Sequence, residues 1–373
     1  MASFWRPTWA DIDPGAFKHN LRALAAFLPR RVQLLAVLKA DAYGHGAAAL
    51  ARAALGAKLG ARLWGFGVSS VEEGVALRDA GVRERILLLG SLYPFESYDV
   101  VLERGLTPTV AGRASARALS SRAARRRRPA ACHVKIDTGM GRIGLAPATA
   151  RDVLPALAAN PWLKVEGVFT HLACADNPAA TALQLKMFNE AVAGFSGGLR
   201  HAANSQGLLT QPATWMDLVR PGLALFGVSL GAAPRRPLLK PVLSWKSRVV
   251  FLKTVRAGTP LSYGWTWRAR RRARIATLPV GYADGYSRAL SNKGVVLIGG
   301  RRCPVVGRVT MDQILVDVTG VPSVEPGAEA VLIGAQGKHR LTVEDMAAAA
   351  GTIPYETLCA ISRRVPRVVR GGA

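Results

Sequence analysis

The stretch Ala36-Val-Leu-Lys-Ala-Asp-Ala-Tyr-Gly-His-Gly46 contains the residue best suited to covalent chemistry, Lys39. Leu34 to Leu38 is an apolar run long enough for one buried strand of a parallel sheet, and Lys39 closes it. An ammonium at a strand end is either solvated or held in a pocket. A low-dielectric pocket lowers its pKa and makes it a nucleophile able to form Schiff bases. Tyr43, Gly44 and Gly46 follow at once, in a loop where backbone can come close to a ligand. Other polar residues stand at the ends of similar apolar runs. His133, Lys135, Asp137 and Arg142 surround one; Thr170 and His171 follow the next; His201, Asn204 and Ser205 close another; and Arg220-Pro-Gly-Leu223 lies in the last.

Together these residues offer an amine for a carbonyl, an arginine, and a histidine to lie flat against a ring. Tyr43, Ser205 and glycine-backed N–H groups are suited to a phosphate. That is the equipment for pyridoxal phosphate, whose own ring carries the carbanion chemistry. Each residue taken singly has a plainer reading. His171 fits a core histidine and Arg220 a barrel salt-bridge residue. His45 and His201 read as turn or core residues, and Ser205 as a helix cap.

The elements that must position these groups repeat. Strand-like runs at Leu34–Leu38, Trp64–Val68, Ile86–Leu89, Leu106–Val110, Cys132–Ile136, Val165–Thr170, Arg200–Ala203 and Leu218–Phe226 recur at βα-unit spacing. Helical segments lie between them. Ser70-x-x-Glu73 reads as a capping box before a helix ended by Gly81, and Pro178 opens another helix running to Val192. Before the first unit, Trp9 to Asp13 alternates. Phe17, Leu21, Leu24, Ala25 and Leu28 then follow at helical spacing. Eight βα units by about residue 232 predict an α/β fold, an eight-stranded (β/α)8 TIM-type barrel over residues 1–232. An open doubly wound sheet is the alternative, but no GxGxxG fingerprint follows the first strand. Gly231 to Pro237 is a turn-rich junction. Beyond it, residues 233–373 read as a mostly-β domain with runs at Val242–Val255, Ala273–Pro279, Gly294–Ile298, Cys303–Val306, Gln313–Val318 and Ala330–Ile333, and only Val343–Ala350 helical. The first strand is free to join this second domain.

The 373 residues are half hydrophobic, enough for a sizeable core. No run of 18 apolar residues suggests a membrane span, and Met1 to Ala10 lacks a signal pattern, so the expected compartment is the cytoplasm. Cys132, Cys174, Cys303 and Cys359 form no CxxC pair, which argues for reduced thiols and no metal. Net charge is +26, bunched at Arg122 to Arg128, Arg268 to Arg274 and the C-terminal tail. No aromatic-interleaved basic platform accompanies it, so nucleic-acid contact is expected to be non-specific at most.

Along nearly its whole length the sequence resembles the alanine racemase family. The resemblance rests on Ala36 to Gly46, His133-Val-Lys-Ile-Asp-Thr-Gly-Met-Gly-Arg142, Thr170-His171, Ala203-Asn-Ser205, Val219-Arg-Pro-Gly222, Ser262-Tyr-Gly264, Gly281-Tyr-Ala-Asp-Gly285, Gly307-Arg-Val-Thr-Met-Asp312 and Tyr355. It implies a homodimeric pyridoxal-phosphate enzyme interconverting L- and D-alanine by a two-base mechanism through an external aldimine, and supplying D-alanine to peptidoglycan. Lys39 would hold the cofactor. Tyr43, Ser205, Tyr355 and the amides of Gly222 and Leu223 would hold its phosphate. Asn204 and His171 would line it, Arg220 would face the ring nitrogen, and Arg142 the phenolic oxygen. The resemblance makes Tyr263 of the neighbouring subunit the second base, along a path Tyr263–His171–Arg220. Arg142 and the Met311 N–H would take the substrate carboxylate, Lys135 would be carbamylated, and Asp176, Tyr282, Arg288 and Arg308 would line the entrance corridor. Thr310, Phe226, Trp265 and Trp267 depart from the usual pattern, the last two near the entrance. Those two tryptophans leave a serine or broad-spectrum racemase as the alternative, whereas Thr310 is expected to have little effect.

Overall fold

The computed structural model describes residues 5–229 and 237–370; most of the junction anticipated at Gly231 to Pro237 lies outside the described residues. Strand β1 (Thr8–Ile12) leads into the helix Pro14–Phe27, where Asp13 caps by accepting the Ala16 N–H at 2.9 Å. Phe17, Leu21, Leu24 and Ala25 form its buried face. Eight parallel strands follow: β2 (Gln33–Val37), β3 (Leu63–Val68), β4 (Arg85–Leu88), β5 (Thr109–Val110), β6 (Ala130–Lys135), β7 (Leu163–Phe169), β8 (Leu199–His201) and β9 (Leu218–Val219).

They form two ladders, β4-β3-β2-β9 and β5-β6-β7-β8. Backbone hydrogen bonds close the seams. Leu88 donates to Thr107 and Thr107 to Ile86 on one side; Asp217 donates to Arg200 and Arg220 to Ala203 on the other. The result is a barrel whose strands end on one common face, where the polar residues singled out above collect.

Two strands are shorter than their apolar runs. Pro108 splits the Leu106–Val110 run, leaving an isolated bridge at Thr107 and a two-residue β5. Pro221 ends β9 at Val219, and Leu223–Phe226 is a 3₁₀ turn instead of the expected strand. A proline has no N–H to give a ladder, so each breaks the strand that hydrophobicity alone would extend.

β1 sits in the sheet of the second half of the chain. It pairs antiparallel with Leu243–Arg248 and parallel with Arg367–Val369. That sheet runs Arg301–Pro304, Val295–Ile298, Glu329–Gln336, Leu243–Arg248, β1, Arg367–Val369. A smaller antiparallel sheet joins Phe251–Val255, Ala273–Leu278 and Ile314–Asp317. The Val242–Val255 run is thus two strands, divided where the Val249 N–H bonds Ala328 and the Val250 N–H bonds Thr277 as the chain changes sheets. Beside the expected Val343–Ala350 helix, capped by Thr342, stands a second, Pro354–Ala360. Seven residues are too few for a periodic signal, and only Pro354 at its first turn announces it. Among the described residues no helix is long and apolar enough to cross a membrane.

Trp245 is fully buried in the larger sheet, opposite Ala10 of β1. Trp245→Ala should cost about 3–5 kcal/mol in denaturant unfolding. A loss under about 1 kcal/mol would mean that the sheet refills the cavity.

Candidate active site

Lys39 opens a short turn, Lys39–Gly44, directly after β2. Ala40, Asp41, Ala42 and Tyr43 all have φ between 50° and 55°, four non-glycine residues in succession in the left-handed region. Each costs roughly 1–2 kcal/mol relative to right-handed backbone, so the surroundings must hold the turn. The Ala42 N–H donates to Leu38 O at 2.7 Å, and the Ala47 N–H to Asp41 Oδ1 at 2.7 Å. Arg367, from the last strand, donates to Gly44 O at 2.8 Å. Gly44 itself has φ +77, and a Cβ there would lie 2.7 Å from Leu358 O. Lys39 is half-buried. Burial lowers its amine pKa, the Arg142 and Arg220 charges lower it further, and Glu73 and Cys359 pull it back.

Tyr43 lies at the floor of a small cradle. Its ring packs on Phe226 (5.1 Å between centroids) and on Tyr355 (5.9 Å), the latter from the Pro354–Ala360 helix. Its hydroxyl faces Gly222 so closely that a Cβ there would come within 2.5 Å. Ser205 Oγ accepts the N–H groups of Gly222 at 2.7 Å and Ala224 at 3.2 Å. The cap of the following helix is Asn204, which accepts the Gly207 N–H at 2.9 Å, so Ser205 is released from the capping role its sequence suggested.

Arg220 is buried and meets no carboxylate among the described residues. Its guanidinium donates to Thr170 O (2.8 Å), Ala202 O (3.0 Å), His201 Nδ1 (2.9 Å) and, at the limit of a hydrogen bond, His171 Nδ1 (3.4 Å). A guanidinium can only donate, so both imidazoles must present bare Nδ1 atoms. The His201 proton therefore sits on Nε2 and donates to His133 Nδ1 at 2.8 Å, which leaves the His133 proton on a buried Nε2 with no partner. Burial and the Arg220 charge hold all three imidazoles neutral: His133 and His171 are pushed down to about 3, and His201 well below 6.5. Burial alone lowers Arg220 to about 9, still charged at neutral pH. The plain core reading of His201 thus misses its bond to Arg220. His45 does behave as a turn residue, bonded to Tyr43 O at 2.9 Å and packed on Phe226.

Lys135 ends β6, almost fully buried, its Nζ 5.7 Å from the centre of the Phe169 ring. Burial, then Arg142 and Arg220, bring its amine down to about 8. The loop that follows is built on Asp137, whose carboxylate accepts the N–H groups of Gly139 (3.1 Å), Gly141 (3.0 Å) and Arg142 (3.1 Å). Gln184 was not singled out in the sequence. It joins this loop to that of His171, donating to Thr138 Oγ1 (3.2 Å) and His171 O (3.3 Å) while accepting the Ala173 N–H (2.9 Å).

The structure therefore brings Lys39, Tyr43, Lys135, Arg142, His171, Asn204, Ser205, Arg220, Gly222, Leu223 and Tyr355 to one mouth. Tyr263, Tyr282, Arg288, Arg308 and Met311 lie apart, in the β-rich half, and Asp176 is exposed on the loop after β7. Tyr263 is 71% exposed and Met311 52%. Ser262 Oγ donates to Arg308 O at 2.7 Å, and the Ala283 N–H to Met311 O at 3.1 Å, which fastens the Tyr263 turn to Arg308 and the Tyr282 turn to Met311. Among the described residues, none makes a hydrogen bond or ion pair with the Lys39 cluster.

The mouth fits pyridoxal phosphate. It combines an amine of lowered pKa, a buried guanidinium without a counter-charge, and a cradle of hydroxyls and amides that a side chain at Gly222 would fill. Fold and site together define a class of parallel barrels that carry a lysine at a strand end and a β-rich second half. The family model "Alanine racemase, N-terminal domain" matches residues 12–230 and "Alanine racemase, C-terminal domain" residues 242–369. The chain belongs to the alanine racemase family. It is 48% identical to the alanine racemase of Symbiobacterium thermophilum, over 98% of each chain. The crystal structure of alanine racemase from D-cycloserine-producing Streptomyces lavendulae superposes with a TM-score of 0.92 at 37% identity, covering 100% of this chain and 99% of that one. The Bacillus anthracis enzyme, solved with bound L-Ala-P, gives 0.90 at 33% identity, covering 100% and 97%.

The neutral imidazoles make unfolding proton-linked. Unfolded histidine titrates near 6.5, whereas His45, at about 4, and His133, His171 and His201 stay unprotonated in the fold well below that. Stability is thus lost as pH falls below about 6.5, at about 1.4 kcal/mol per pH unit for each imidazole. Calorimetry at pH 5 in buffers of different ionisation enthalpy should find about four protons taken up on unfolding. Uptake of one or none would place these imidazoles in contact with solvent.

Proposed function

We propose that this chain interconverts L- and D-alanine, using pyridoxal phosphate carried on Lys39. The observation that carries this is the pairing of a lysine amine of lowered pKa with a buried guanidinium and an anion cradle at one barrel mouth. The relatives' shared name, and the L-Ala-P held by the Bacillus anthracis enzyme, favour alanine over the serine or broad-spectrum alternative.

When bound, the cofactor supplies an aldehyde for the substrate amine and a conjugated ring that takes up the charge left on Cα. Tyr43, Ser205, Tyr355 and the Gly222 and Leu223 amides hold its phosphate, with Asn204 and His171 alongside. Arg220 can only donate, so it would keep a ring nitrogen held against it unprotonated. Arg142 and the Met311 N–H bind the substrate carboxylate. Inverting Cα requires a proton removed on one face and delivered on the other, and two fixed groups do this more simply than one that swings across. The Lys39 amine serves one face. The partner subunit's Tyr263 serves the other. A phenol of pKa near 10 needs help to act as a base. His171 offers it: with Nδ1 turned to Arg220, its proton lies on Nε2, available to stabilise the phenolate.

The exposure of Tyr263, Trp265, Tyr282 and Met311 supports a homodimer that covers this face, with Asp176, Tyr282, Arg288 and Arg308 at the corridor. At a pKa of about 8, Lys135 is a fair amine for CO2. The carbamate forms one N–C bond, releases one proton and replaces a cation among Arg142, Arg220 and Lys39 with an anion. The proposed role is supply of D-alanine for peptidoglycan, in the cytoplasm.

Chiral chromatography of L-alanine incubated with the cofactor-loaded protein should show D-alanine approaching equal amounts. Lys39→Ala and Tyr263→Phe homodimers should each be nearly inactive. Dissociated and re-paired together, half the dimers are mixed and each has one intact site of two, so activity should return to roughly a quarter of wild type. No recovery would mean that Tyr263 acts within its own chain. A wild-type protein that leaves L-alanine unchanged would end the racemase reading.

A further inference from the structure

A carboxylate that the chemistry above leaves unused grips the Lys39 turn. Glu73 is the third residue of the Val71–Asp79 helix, and Ser70 Oγ accepts its N–H at 3.4 Å. In a capping box this glutamate would reach back to the N–H of Ser70. It does not. Its Oε2 accepts the Ser69 N–H at 2.7 Å, and its Oε1 accepts the Ala40 N–H at 2.6 Å. Ser69 follows β3 and Ala40 follows Lys39, at the ends of two neighbouring strands. One carboxylate thus ties both strand ends together at the residue where the backbone turns left-handed. The other end of the turn hangs on Arg367, which also donates to Ile361 O and Val365 O. Four left-handed residues without glycine do not persist unaided, and these two grips are what bracket them.

We infer that Glu73 is the positioning residue for Lys39, fixing the Ala40 amide so that the lysine leaves its turn toward the Arg142 and Arg220 side of the mouth. This rests on the reading of Lys39 as the cofactor-bearing amine and adds to it the group that aims that amine. The charge acts as well. Lys39 is faced by Arg142 and Arg220, which disfavour its protonation, and by the Cys359 thiol, which favours it; Glu73 is the carboxylate that opposes the two cations, and Lys135 is near enough for Lys39 to lower its pKa. It follows that removing the Glu73 charge should lower the pH at which the Lys39 amine becomes reactive.

The test reads the amine and the amide, not turnover. Full-length protein freed of cofactor is labelled with trace acetic anhydride across pH, and the Lys39 peptide is quantified by mass spectrometry. Glu73→Gln, which keeps the shape and one acceptor, should move the labelling midpoint down by roughly half a unit to one unit. Its one acceptor can hold only one of the two N–H groups, so the same variant should speed hydrogen exchange roughly tenfold at the Ala40 or the Ser69 amide. Glu73→Asp keeps the charge on a shorter arm; its Lys39 midpoint should match wild type while Ala40 exchange still rises. If Glu73→Gln fails to fold, the Asp variant alone decides by its Ala40 exchange. A lower melting temperature with the midpoint and Ala40 exchange both unchanged would reduce Glu73 to a helix residue and overturn the inference. Neither readout needs alanine turnover, so a wild-type protein that fails to racemise alanine is a separate result.

Discussion

A guanidinium buried without a carboxylate governs the barrel mouth. Arg220 can be satisfied only by lone pairs, and the fold supplies two main-chain carbonyls and two imidazole nitrogens. That choice propagates. His201 and His171 must both stay neutral and show Nδ1 to Arg220. His133 must then accept from His201. The carbonyls of Thr170 and Ala202 must be free of sheet partners at their strand ends, so the shortness of β8 is part of the site. A carboxylate in place of these acceptors would have neutralised the mouth. Their absence of charge keeps it positive.

The positive balance is the second property of the mouth. Arg142 and Arg220 depress the protonation of Lys39 and Lys135, Lys39 depresses that of Lys135 as well, and the nearby Asp137 spends its carboxylate on three loop amides. Burial is the largest single influence on Asp137 and raises its pKa, but the loop amides together outweigh it and hold the group below its ordinary value. A cluster of this kind favours ligands that bring negative charge, such as a phosphate monoester or a carboxylate. Burial first, and the neighbouring charges after it, lower the amine pKa of both Lys39 and Lys135.

Much of this architecture was legible in the chain. The apolar runs located the barrel strands, and the polar residues at their ends were the mouth. Illegible features depended on contacts distant in sequence. The expected capping box at Ser70 and Glu73 was half formed, because the glutamate found Ala40, 33 residues away, in place of its own helix end. His201 looked like core because nothing near it in sequence announces Arg220. Pro108 and Pro221 could have warned of the broken strands, since a missing N–H is a local fact. The Pro354–Ala360 helix was too short to show a period, yet it carries Tyr355 to Tyr43.

β1 lies between strands drawn from residues 243–248 and 367–369. A ribosome makes it long before either neighbour. The barrel strands, which lie between, can therefore begin to collapse while nascent, but β1 waits for partners from the second half of the chain. Until then β1 is an unpaired edge next to a growing chain, open to pairing with another nascent copy. Asp11 sits on that strand and takes the charges of Lys246 and Arg370, both supplied late. An uncompensated acid on the waiting strand is a simple guard against premature pairing.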